Sequence, residues 1–222
     1  MNVSKISVPE AQAVTGVIVV DLQGDFTTLK QGALAVEGSD RAYVEKVKQV
    51  TLSLKEKGFT LFATQDWHPR DHVSFFTSHP GKQPFETIEI DGISQLLWPP
   101  HCVKESENAR LLMDVSLFFK VVKKGTNRLY DSYSGFQDQG GAPTELERLI
   151  RDAGLTRLII YGLATDYCVK ATALDAAKRG FEVFVVKDLS RGVSMDTTGA
   201  SLEEMGQHGI NIITMKELQS TT

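Results

Sequence analysis

The sequence predicts an α/β fold: a three-layer, doubly wound sandwich around a mainly parallel six-stranded sheet. Three observations predict it. Short β-branched apolar runs recur along the 222 residues, they lack polar alternation, and amphipathic stretches separate them. Strands that are apolar on both sides must be covered on both faces. A parallel sheet with right-handed helical crossovers provides that cover.

The first run, Gly16–Asp21, is wholly apolar until its closing acid. Tyr43–Gly58 follows with helical spacing and a terminal Gly suited to a C-cap. Phe59–Asp66 and Leu117–Gly125 read as the second and third strands. Thr144, with Glu147 three residues on, predicts a capping box for a helix that closes at Gly154. Arg157–Gly162 is the fourth strand, Asp166–Gly180 a helix and Phe181–Asp188 the fifth strand. A helix from about Thr197 to Gly206 and a strand over Ile210–Met215 complete the pattern. The stretch of about 67–108 is rich in Pro, Gly and His and weak in periodicity, and so long an insertion is usually functional. No linker divides the chain, so 1–222 reads as a single domain.

Composition narrows the function. A hydrophobic fraction of 41% and a charged fraction of 23% give an ordinary core. A net charge of −4 supplies no bulk reason to bind nucleic acid or an anionic membrane. Small molecules or proteins are the expected partners, with a homo-oligomer left open. Two cysteines make no disulfide framework and no CxxC pair. "MNVSKISVPEAQAV" lacks the apolar core of a secretory signal, and no apolar stretch is as long as a membrane span. A cytoplasmic protein with free thiols is the expectation.

In open parallel sheets, ligands bind outside the carboxyl ends of the strands. Asp21 ends the first strand, Asp66 the second and Lys124 the third, and Cys168 follows the fourth. Each alone reads as a solvated strand end; four on one edge read as a site. At a helix start, Cys168 would meet unpaired N–H groups and the positive end of the helix dipole. Both would lower its pKa, and the same N–H groups could hold an oxyanion. Asp21 could take the thiol proton and Lys124 favour the thiolate, whereas no histidine ends a core strand. Asp66 and His68 leave an extended segment on the same face. His101 could complete a carboxylate and two-imidazole set that suits Zn, Fe or Mn. His72, His79 and His208 read as scattered surface residues. Trp67, Trp98 and Phe26 are core residues or the walls of an aromatic pocket.

Together, "DLQGDF", "TQDWHP", "WPPHCV", "KKGTN…YSGF" and "GLATDYCVKATALDA" resemble the nicotinamidases of the isochorismatase-like cysteine hydrolase superfamily, over nearly the whole chain. The resemblance implies an Asp21–Lys124–Cys168 triad; Lys124 rather than Lys123 directly precedes the Gly of the motif. It implies metal ligation by Asp66, His68 and His101 of one divalent ion, Zn first with Fe or Mn as alternatives. It implies an oxyanion hole from the N–H groups of Ala164 and Cys168. A cis peptide is expected at Leu163–Ala164 or Ala164–Thr165. The implied reaction is hydrolysis of nicotinamide to nicotinate and ammonia through a thioester, in NAD salvage, with Phe26 and Trp98 against the ring. Pro100 stands where many relatives carry an acid, a departure that falls in the metal's outer shell. A related hydrolase of isochorismate or of a carbamoyl amide is the alternative, and a non-catalytic metal-binding protein a more distant one.

Overall fold

The first strand, β1 (Thr15–Val20), is buried along its whole length, and its alternate residues enter two different apolar clusters. Val17 and Val19 face one cluster; Ile18 and Val20 face the other. Covering both faces removes the polar alternation, because neither set of side chains meets water. The structure is a computed structural model that describes residues 14–221. Segment 1–13, which holds nearly all of the stretch read for a secretory core, lies outside the described residues.

The remaining strands are β2 (Thr60–Asp66), the hairpin strands β3 (Thr87–Ile90) and β4 (Ile93–Leu96), β5 (Lys120–Lys124), β6 (Arg157–Gly162), β7 (Glu182–Val186) and β8 (Asn211–Ile213). The six-stranded sheet has the order β5-β2-β1-β6-β7-β8, and every neighbouring pair is parallel. From β1 the chain builds outward through β2 and β5 on one side. It then returns to add β6, β7 and β8 on the other. The order therefore reverses between β1 and β6, and in such sheets a crevice opens there at the carboxyl ends.

Helices cover both faces. α1 (Arg41–Glu56) brings Tyr43, Val44, Val47 and Leu54 onto the Val17–Val19 face. α2 (Leu146–Asp152), α3 (Lys170–Lys178) and α4 (Met195–Gln207) bring Leu146, Ile150, Ala173, Ala176 and Met205 onto the Ile18–Val20 face. α5 (Met215–Thr221) closes the described chain. None of the described helices is long and apolar enough to cross a membrane.

The local expectations differ from the structure in three places. The expected Thr144–Glu147 box does not form. Thr144 Oγ1 accepts from Leu146 N–H at 3.1 Å and donates to Gly135 O, while Glu147 bridges Arg151 and Arg179. The reciprocal box is at Thr214–Glu217, where each backbone N–H meets the other's side chain; it starts α5 and cuts the last strand short. Finally, the irregular 67–108 stretch contains the β3–β4 hairpin, turned at Asp91 (φ +51°) and Gly92 (φ +79°). An Asp-Gly pair between alternating residues is a hairpin signal.

Candidate active site

Asp21 follows β1 with φ +46°, a left-handed conformation that Asp tolerates better than most side chains. It is fully buried. Thr64 Oγ1 donates to its Oδ1 at 2.7 Å, and its Oδ2 lies 3.0 Å from Lys124 Nζ without hydrogen-bond angles. Lys124 pairs with Asp66 in the β2–β5 register, and its ammonium donates to Asp66 Oδ1. It also donates to Ser132 O at 2.8 Å and to Cys168 Sγ at 3.4 Å. One buried ammonium thus touches both acids and the thiol. Lys123 cannot do this, because strand neighbours point to opposite faces. Its Nζ sits 4.0 Å over the ring of Trp67 instead.

Beside this cluster lie the two imidazoles. His68 Nδ1 donates to Gly125 O at 3.0 Å and His101 Nδ1 to Pro99 O at 2.8 Å. A carbonyl can only accept, so each ring carries its proton on Nδ1 and leaves the Nε2 lone pair free. These Nε2 atoms lie 3.5 and 3.9 Å from Asp66 Oδ2. His68 Nε2 is buried and has no hydrogen-bond partner. Metal–ligand bonds of roughly 2.0–2.2 Å at tetrahedral angles would place ligand atoms about 3.4 Å apart. The donor set and its orphaned nitrogen therefore fit a divalent cation. Gly125 makes room for the His68 ring, since a Cβ there would stand 2.2 Å from it.

His72 corrects its surface reading, since it is fully buried with its ring 4.3 Å from that of His68. With Asp131 these two form a second group of ligand-type side chains. His72 is satisfied without an ion, however: Nε2 donates to Tyr130 O at 3.2 Å, and Nδ1 pairs with Ser74. His79 is half-buried on Val73 O, and His208 is exposed, as a surface reading requires.

At Asp21 and Cys168, burial outweighs the neighbouring charges. It raises Asp21 to about 6 against the pull of Lys124, and Asp66 adds to the rise. It also pushes the Cys168 thiol well above its ordinary value; Lys124 pulls back, and Asp21 and Asp66 push further. The expectation of a thiol acidified by a helix start is thereby corrected. At rest the sulfur keeps its proton, and a base must remove it. Asp66 feels the same burial, but Lys124 and the two imidazoles outweigh it and hold its carboxyl well below the usual range.

A cavity of about 230 Å³ opens onto this cluster, below the roughly 300–1,000 Å³ of drug-sized sites. Asp66, His101, Ala164 and Cys168 lie on its wall with Phe26 and Trp98. Trp67 is not on that wall. The Trp98 indole donates to Tyr133 Oη at 3.0 Å and meets the Tyr167 ring edge-on at 5.2 Å, so the aromatic side is rigidly built.

The isochorismatase domain model matches residues 15–217. The chain belongs to the isochorismatase family. It is 39% identical over 209 residues to a nicotinamidase of Escherichia coli, covering 92% of this chain and 96% of that one. A solved Acinetobacter baumanii nicotinamidase/pyrazinamidase superposes with a TM-score of 0.84 at 35% identity, covering 92% and 97% of the two chains. A Pyrococcus horikoshii pyrazinamidase solved with zinc gives 0.75 at 36% identity, covering 90% and 99%.

In this isochorismatase-family chain Cys168 lies in a wide turn, Thr165–Val169, ahead of α3 rather than in its first turn. Val169 N–H reaches back five residues to Ala164 O at 3.0 Å. Such wide turns recur at functional sites. The cis peptide expected nearby lies at Leu163–Ala164. The N–H groups of Thr165, Tyr167 and Val169 are spent on Arg191 O and Ala164 O. Asp131, Tyr133 and Tyr167 also line the cavity and went unread in the sequence. Asp131 and Tyr133 sit in an irregular segment, where no periodicity announces which side chains face inward.

Proposed function

We propose that this chain hydrolyses nicotinamide to nicotinate and ammonia, a step of NAD salvage, through a thioester on Cys168. Family membership and the amide-cleaving relatives make it a hydrolase acting on an amide. One observation carries the finer reading: a single small cavity has both the thiol and members of the metal-ligand set on its wall. A carboxamide and a ring nitrogen on one small molecule could engage both at once. We read 1–222 as one domain, in which the insertion at about 67–108 supplies His68 and His101.

Asp66, His68 and His101 would hold one divalent ion, of which zinc is the first choice. When bound, that ion supplies Lewis-acid anchoring of a pyridine nitrogen. Phe26 and Trp98 pack the ring and keep water from the reacting carbon. Asp21 accepts the Cys168 proton as the sulfur attacks the carboxamide carbon. Lys124 holds Asp21 and Asp66 in place and steadies the growing thiolate charge. The N–H groups of Ala164 and Cys168 receive the oxyanion. Asp21 then passes its proton to the departing ammonia and activates the water that releases nicotinate from Cys168.

The test is a substrate panel on the purified protein: nicotinamide, isochorismate and an N-carbamoyl amide, with products identified chromatographically. Nicotinate and ammonia in equal amounts are expected from nicotinamide, with the other two inert. Turnover of either alternative in place of nicotinamide would transfer the site to that substrate.

A further inference from the structure

The mouth of the cavity is apolar, in contrast to its floor. Ala33, Ala35, Phe85 and Val193 line the cavity and are exposed to solvent. Phe85 is the largest of them and stands 61% exposed. Its exposure is built into the backbone. Residue 85 takes φ +70°, a conformation unusual for a bulky side chain. Its N–H is tied to Leu97 O at 2.6 Å. The chain is thus bent and pinned where the ring lines the cavity and stays open to solvent. There it meets the Trp98 ring edge-on, 6.0 Å between centroids, and Trp98 is itself fixed by Tyr133.

We infer that Phe85 is a specificity-determining residue that limits this site to small single-ring amides by closing one side of the mouth. The inference rests on the proposed nicotinamide reading, and the chemistry of that substrate gives it a direction. The ring nitrogen N1 and the carboxamide-bearing C3 both face the floor, toward His101 and Cys168. They flank C2, so the ring atom diametrically opposite, C5, faces outward. A substituent on C5 therefore meets Phe85, while one that leaves C5 bare does not.

The experiment compares kcat/KM for nicotinamide and 5-phenylnicotinamide in the metal-loaded parent, Phe85→Ala and Phe85→Trp, following ammonia release. The parent should favour nicotinamide strongly. Phe85→Ala should lower the preference by about tenfold or more, chiefly by improving the larger amide, and Phe85→Trp should raise it. Parallel binding of the two amides, measured by isothermal titration calorimetry in the Cys168→Ala background, should show the same ordering without chemistry. Ammonia release from nicotinamide with an unchanged preference in both variants would overturn the role of Phe85 alone. No release from nicotinamide by the parent would sink the functional reading and this inference with it.

Discussion

Burial raises the pKa of both Cys168 and Asp21, but unequally: near neutral pH the thiol keeps its proton, while Asp21, at about 6, is mostly ionised. In the proposed reaction, Asp21 must be ionised to accept the thiol proton. An ordinary Asp would be ionised down to about pH 4, whereas this one is raised to about 6. A carboxyl with a raised pKa loses its charge as pH falls through that value. The acid limb of kcat/KM is therefore expected near pH 6, and a profile flat to about pH 4 would remove Asp21 as the base. Replacing the sulfur, in Cys168→Ala, should lower turnover by about 10⁴-fold or more while metal content by elemental analysis stays at the parental level. Residual activity within about tenfold of the parent would exclude covalent catalysis by this residue.

Strand ends carry most of the site, and they were the most legible part of the sequence. Asp21, Asp66 and Lys124 fall at carboxyl ends of three adjacent strands, and apolar runs with polar terminal residues mark them in the sequence itself. The local start and stop signals were less legible. Thr144 and Glu147 have the right spacing for a box, but Gly135 and two arginines offer their side chains better partners. Helix-start electrostatics, which suggest an acidic thiol, are visible in sequence; the burial beside two carboxyls that raises Cys168 is not. The same holds for the clamp on the nucleophile turn. Asp166, next to Thr165, accepts from Val193 N–H at 3.0 and 3.1 Å and from the Thr197 hydroxyl, tying the turn to the loop before α4 and to the first turn of α4. Asp166→Ala would leave the Val193 N–H unpaired, a loss of about 1–3 kcal/mol. Calorimetry should show Tm lower by several degrees; an unchanged Tm would mean that water replaces the clamp. Gly125→Ala at the end of β5 drives a methyl into the His68 ring. Its expected signature is weakened metal binding, at least about tenfold by competition with a chelator, and parental affinity would show that His68 is no ligand.

At the scale of the whole molecule, the order reversal between β1 and β6 opens the crevice, and the 67–108 insertion delivers imidazoles to it from outside the sheet. In the proposed reaction, cysteine chemistry belongs to the sheet edge, and substrate anchoring to the insertion's two imidazoles together with Asp66 at the end of β2. That division makes the anchoring separable by experiment: His101→Ala should cost metal and apparent substrate affinity while Cys168 remains alkylatable. The most direct measurement is ammonia released from nicotinamide by the intact protein, before and after metal stripping and re-addition. The account predicts release that collapses on stripping and returns with a divalent metal. Release at the parental rate from fully stripped protein would contradict it, leaving Asp66, His68 and His101 without a part in the reaction.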